Sequence, residues 1–103
     1  MMEIVKNQKD NALNLTLQGR LDTTTAPQLE EVVQSSLDGV TELTLDFAEL
    51  KYISSAGLRV LLGAQKAMNK QGSMKLVNVN ADVMEVFEIT GFSDILHFDD
   101  EKQ

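Results

Sequence analysis

LDFAELKYISSAGLRVLLG, residues 45–63, contains the change of periodicity on which the fold turns. Just before and within it, Leu43, Leu45 and Phe47 alternate with Thr44 and Asp46. That is the period of two expected of a strand with one buried face and one wet face. Tyr52 and Ile53 then lead into Ser54-Ser55, after which Leu58, Leu61, Leu62 and the stretch Gln65 to Met68 read as an amphipathic helix ending near Gly72. A strand leaving through two serines into a helix is half of a crossover unit, and crossover units build sheets with parallel neighbours.

Toward the N-terminus, Leu13, Leu15 and Leu17 alternate with Asn14, Thr16 and Gln18, a second half-buried strand. A shorter strand, Glu3 to Lys6, is expected to pair with it across the polar turn NQKDN, residues 7–11. Gly19, Arg20-Leu21-Asp22 and the hydroxyl run Thr23-Thr24-Thr25 follow. Thr25 reads as an N-cap with the only proline, Pro27, in the first helical turn, where its missing N–H costs nothing. Leu29, Val32, Val33 and Leu37 recur at helical spacing, and Gly39 is expected to close that helix.

Toward the C-terminus, Met74 to Val79 is a strand with a more continuous apolar run, expected to be central in the sheet. Asn80 caps a third helix carrying Val83, Val86 and Phe87, and Gly91 terminates it. Ile95 to Phe98 is expected as a last short strand, with residues 99–103 a solvated acidic tail. The order is β-β-α-β-α-β-α-β: a small α/β sandwich with a mixed sheet of four to five strands. The first two strands are antiparallel neighbours, and the helices lie mainly on one face, because polar positions on two strands mark the other as incompletely covered. The expectation is one domain over residues 1–103, with its core at about 3–98.

Length and composition bound the function. At 103 residues and 11.4 kDa the chain supports one hydrophobic core, burying roughly 60–68% of the surface exposed when unfolded. Nine basic against 16 acidic residues give a net charge of −7. Nucleic acid and anionic membranes are therefore not expected as partners, since a phosphate surface needs a basic face. With no cysteine there is no disulfide and no thiolate nucleophile or metal ligand, which fits a reducing cytoplasm. No apolar stretch approaches the roughly 20 residues of a membrane helix, and the N-terminus lacks a signal-peptide pattern.

Catalytic and metal-binding patterns are missing. The single histidine, His97, reads as an edge-strand residue facing solvent, and one histidine cannot build a histidine metal cluster. Gly57 and Gly63 fall inside a helical pattern and lack the context of a phosphate loop. Glu30-Glu31 and Asp99-Asp100-Glu101 read as solvated charge. Leu58, Leu61 and Leu62 are assigned to the core, Met68, Met74 and Met84 to core or helix-edge places, and Phe92 to a lid on the third helix. Neither an enzyme nor a cofactor is expected.

What remains is the serine pair. Read structurally, Ser54 or Ser55 is an N-cap whose hydroxyl accepts from an early helical N–H, worth about 0.5–2 kcal/mol. Read functionally, a helix start offers unpaired N–H groups and partial positive charge that accommodate a phosphate on a serine placed there.

Three segments together resemble the STAS domain of bacterial anti-sigma factor antagonists, over nearly the whole chain. They are GRLDTTTAP at 19–27, LDFAELKYISSAGLRVLLG at 45–63, and LVNVNADVMEVFEITGFSDIL at 76–96. The resemblance implies a phosphoacceptor at Ser55, with Gly57 and Leu58 matching the family's Asp-Ser-Ser/Thr-Gly-Leu helix start. Two positions depart: Ser54 stands where the family has aspartate, and Ala56 replaces the second hydroxyl.

On the same resemblance, a cytoplasmic partner-switching role is expected. The bare domain would bind a GHKL-type anti-sigma factor serine kinase, which phosphorylates Ser55 and releases it, and a PP2C-type phosphatase would restore it. The expected partner-binding set is Asp22, Thr23, Thr24, Ser54, Ser55, Ala56, Gly57 and Arg59. Asp22 also reads as an Asx cap on its own turn, and Arg59 as an ordinary solvated helix residue. A monomer, at most weakly dimerising, is expected. Two alternatives stay open: a permanent docking subunit of a lipid-transport ATPase or stressosome-like assembly, and a small-molecule sensor binding at the same helix start.

Overall fold

The computed structural model describes residues 2–99; residues 100–103 of the expected tail lie outside them. The elements are β1 (Met2–Lys9), β2 (Ala12–Leu21), α1 (Ala26–Ser36), β3 (Glu42–Ile53), α2 (Ser55–Asn69), β4 (Ser73–Val77), α3 (Ala81–Thr90) and β5 (Phe98–Asp99). They form one five-stranded mixed sheet in the spatial order β1-β2-β3-β4-β5. Strands β1 and β2 are antiparallel, and every later pair is parallel. This is the expected α/β architecture and element order.

Leu13, Leu15 and Leu17 of β2 and Leu43, Leu45 and Phe47 of β3 share the face on which the helices pack. Leu29 and Val33 of α1, Leu61 and Met68 of α2 and Phe87 of α3 complete that core. Phe87 joins the sheet through its ring, 6.3 Å from that of Phe47. The other face remains polar, with Asn7, Asn14, Thr44 and Lys75 aligned across four strands by the register.

Several expectations are corrected. The first hairpin is longer than Glu3 to Lys6: Asn7, Gln8 and Lys9 stay paired with β2, and Asp10-Asn11 alone make the turn. Asp10 takes a left-handed backbone there, φ 55°, which a short polar side chain tolerates. Strand β3 is continuous to Ile53 because it gains one residue on β2 after Asp46 and another after Leu50. These bulges stretch its apolar spacing from two (Leu43, Leu45, Phe47) to three (Phe47, Leu50, Ile53), which disguises one strand as two segments. Asp46 Oδ1 holds the first bulge, accepting from the Ala48 N–H at 3.0 Å and Asn78 Nδ2 at 3.2 Å.

Strand β4 is not central; β3 is, and β4 lies between it and the two-residue β5. Its apolar run arises because Leu76 and Val77 are buried on opposite sides of one strand. The last strand starts at Phe98 rather than Ile95, because Asp94, Ile95 and Leu96 use their N–H groups to close the 3-10 turn Phe92–Asp94. Asp99 belongs to β5 rather than a free tail, and it meets Lys75 Nζ at 3.4 Å. Helix α1 stops at Ser36, before Gly39. Leu62 is half-buried and outside the core that holds Leu58 and Leu61. Asn80 caps α3 as expected, accepting from the Val83 N–H at 2.8 Å, and Gly91 ends it in the left-handed conformation.

Candidate functional site

The parallel pairing of β2 and β3 brings their C-terminal ends together, with Leu21 opposite Ile53. The ladder continues one step further: the Ser54 N–H donates to the Leu21 carbonyl at 2.9 Å. Ser54 is the extended N-cap of α2, and its carbonyl accepts from the Leu58 N–H at 3.0 Å. Its hydroxyl, however, does not cap. Oγ is buried and has no hydrogen-bond partner, so α2 begins without a side-chain cap, contrary to the structural reading of the sequence. Ser55, the first helical residue, is exposed.

Gly57 explains how α2 begins so close to β2. A Cβ at this position would stand 2.6 Å from Leu21 Cγ and 3.0 Å from Ile53 Cγ1. Only glycine permits that approach, which sets Ser55 beside the loop that follows Leu21. Gly57 itself is buried, and its missing side chain is what lets the first turn of α2 approach β2.

The loop after β2 is tied by two side chains. Asp22 Oδ1 accepts from the Thr24 N–H at 3.0 Å, the Thr24 hydroxyl at 2.7 Å and the Thr25 N–H at 3.2 Å. The Thr24 hydroxyl, above all, holds the Asp22 carboxyl below the usual aspartate range; the two N–H groups reinforce it, while partial desolvation opposes it. Thr25 is the N-cap residue of α1, but its hydroxyl faces backward, donating to the Arg20 carbonyl and accepting from the Asp22 N–H, both at 2.8 Å. It therefore caps nothing in α1; backbone closes that start, with the Ala26 N–H on the Asp22 carbonyl at 2.8 Å.

Two residues outside the expected set join this edge. Arg20 Nε lies 3.8 Å from Asp22 Oδ2, and the Arg20 guanidinium stands 4.3 Å from the centre of the Tyr52 ring. Both are exposed on the polar face of the sheet. Their outward direction was readable from alternation with Leu21 and Ile53, but their proximity comes only from the bulged register that pairs position 20 with position 52. Tyrosine and arginine are residue types enriched among the hot spots of protein interfaces.

The starts of α1 and α2 stand side by side around a shallow depression of about 190 Å³, lined by Thr23, Ala26, Pro27, Ala56, Arg59 and Val60. Thr23, Thr24, Ser55 and Arg59 are exposed; Asp22, Ser54 and Ala56 are half-buried. His97 is exposed at the opposite end of the chain, just before β5. Among the described residues no group of three or more His, Asp or Glu is arranged to hold a metal ion, and no helix is long and apolar enough to cross a membrane.

The STAS domain family matches the chain over residues 3–103. BtrV of Bordetella bronchiseptica, assigned as an anti-sigma factor antagonist, is 40% identical over 96 residues, spanning 91% of this chain and 83% of its own. The anti-sigma-B factor antagonist of Bacillus subtilis is 32% identical over 90 residues, spanning 86% of this chain and 83% of its own. Among solved structures, the Bacillus cell fate determinant SpoIIAA in its phosphorylated form superposes with a TM-score of 0.77 at 19% identity, covering 98% of this chain and 93% of that one.

Proposed function

This chain belongs to the STAS domain family, and from that premise we propose that it is an anti-sigma factor antagonist switched by phosphorylation of Ser55. Unmodified, it binds a GHKL-type serine kinase that also serves as the anti-sigma factor, through the surface formed by Asp22, Thr23, Thr24, Ser54, Ser55, Ala56 and Arg59. In the kinase complex the Ser55 hydroxyl attacks the γ-phosphorus of ATP. An O–P bond forms to Ser55, the bond to the β-phosphate oxygen breaks, ADP leaves, and the hydroxyl proton passes to base or solvent. A PP2C-type phosphatase hydrolyses the phosphoserine. The setting is cytoplasmic, where ATP and such kinases are found.

The observation that carries this reading is the contrast within the serine pair. Ser55 is exposed on the first residue of an uncapped fifteen-residue helix, while the neighbouring Ser54 hydroxyl is sealed. A phosphate on Ser55 meets the unpaired N–H groups and positive end of α2, so the domain tolerates it. It also adds about −1.5 to −2 charge to a contact that held a neutral hydroxyl. An uncompensated charge desolvated at an interface costs several kcal/mol, enough to change affinity by orders of magnitude.

Incubation with GHKL-type serine kinases of the source organism and ATP, followed by intact mass, tests the proposal. One phosphate on the wild type and none on Ser55→Ala is the expected outcome, with Ser55→Ala still binding the kinase and Ser55→Asp binding weakly. A permanent docking subunit would take no phosphate, and its partner would bind all three forms equally. The sealed Ser54 hydroxyl, standing where the family resemblance implies an aspartate, is the feature that keeps that second reading in view.

A further inference from the structure

Ser55 and Arg59 stand four residues apart on α2, and both are exposed. At that spacing two helical side chains are neighbours, with Cβ atoms about 5–6 Å apart. Long side chains on a helix lean back toward its N-terminus, so the patch that Arg59 covers lies over the turn that carries Ser55. Direction matters as well. An anion four residues before a cation is the favourable order, because it agrees with the helix dipole.

Arg59 is also uncommitted. Among the described residues no hydrogen bond or ion pair engages its guanidinium. Glu30 of α1 lines the same depression without pairing with it. The other charges of this edge are occupied: Asp22 holds the Thr24 and Thr25 N–H groups and stands 3.8 Å from Arg20, and Arg20 lies over Tyr52. The start of α2 has no acidic residue in its first turn and no side-chain cap. An exposed hydroxyl, uncapped N–H groups and an unpaired cation thus meet within one turn, and no anion joins them.

Resting on the phosphorylation of Ser55 proposed above, we propose that Arg59 is the built-in counter-ion of the phosphoserine. Its guanidinium donates to the phosphate oxygens as a two-pronged, charge-assisted contact, while the first-turn N–H groups of α2 face the phosphate from the helix end. The pair forms only after modification, so phosphorylation acts on the partner surface twice. It adds charge at Ser55, and it draws Arg59, itself part of that surface, onto the chain's own phosphate. The modified domain also gains an interaction that the bare one lacks, which favours the released form.

Phosphoserine installed at position 55 during translation makes the test independent of any kinase. Phosphorus NMR then follows the second pKa of the phosphate in the wild type, Arg59→Gln, Arg59→Lys and Lys66→Gln. A paired guanidinium favours the dianion, so the wild-type value should lie below that of Arg59→Gln by about 0.3 unit or more at low salt, and the gap should shrink at about 1 M salt. Arg59→Lys should recover part of the gap, since lysine keeps the charge and loses the planar fork. Lys66→Gln, which removes a cation farther along α2, should leave the phosphate unmoved. Phosphorylation should raise the melting temperature more in the wild type than in Arg59→Gln, with the two unmodified proteins melting alike. A smaller pKa gap, or one that Lys66→Gln reproduces, overturns the counter-ion and leaves the Ser55 switch standing. If no GHKL-type kinase modifies wild-type Ser55, the proposed function is overturned, while the pair stands or falls separately on the installed phosphate.

Discussion

Ser54 and Ser55 are the same residue type in consecutive positions, yet the fold gives their hydroxyls opposite fates. Ser54 Oγ is buried without a partner, whereas Ser55 is exposed at the first helical position. If Ser54 were a working cap, Ser54→Ala would cost about 0.5–2 kcal/mol. With no bond to lose, the expected outcome in thermal or urea unfolding is a change between about zero and 1 kcal/mol in the stabilising direction. Asp22 offers a second test at this scale. Its carboxyl titrates below the unfolded reference of 3.8 because the Thr24 hydroxyl and two N–H groups favour the anion. A lowered folded pKa contributes stability that is complete above the unfolded value and fades as pH falls through the folded one. Wild type should therefore lose more stability than Asp22→Asn on acidification below about pH 4, measured by urea unfolding across that range.

At the scale of elements, α2 is held by two glycines with contrary roles. Gly57 brings its first turn against Leu21, and the buried Leu21 side chain has no room to yield. Gly57→Ala is expected to destabilise by about 1–3 kcal/mol and to push Ser55 away from the Asp22 loop, slowing the proposed phosphorylation. Gly63→Ala meets open space and gains helix propensity, so it should stabilise by about 0.5–1 kcal/mol. Chemical denaturation of both variants checks the pair, and opposite signs are the expected result. The bulges in β3 belong to this scale too. By adding two residues relative to β2 they bring Tyr52 opposite Arg20 and Ile53 opposite Leu21, which aims the strand exit at the candidate site.

At the scale of the whole molecule, one core on one sheet face carries all three helices, and Phe47 is at its centre, fully buried against Phe87. Phe47→Ala should cost about 3–5 kcal/mol. That is a large share of the 5–15 kcal/mol typical of a domain, so a markedly lowered, still cooperative melting transition is expected. The candidate site lies at the rim of this core, where the C-terminal ends of β2 and β3 feed α1 and α2. The proposed switch, one hydroxyl and its charge state, is thus separated from the packing that sets stability. With a net charge of −7, the molecule as a whole favours partners that present basic surfaces.

The sequence by itself determined the element order and the serine pair at a helix start, because alternation, helical spacing, Asn80 and Gly91 are local signals that act within one turn or one strand. It also excluded thiol chemistry and clustered histidines by composition alone. It misjudged the extent of the hairpin, the unity of β3 and the place of β4, since those depend on which backbone each strand finds beside it. Only the tertiary structure decided which serine hydroxyl is sealed, that Thr25 faces back to Arg20, that Gly57 is a steric hinge point under Leu21, and that Arg20 stacks on Tyr52. Each of these is a contact between segments remote in sequence or a direction taken by a side chain after packing. Such contacts are set by the parallel register of β2 and β3, which no local pattern encodes.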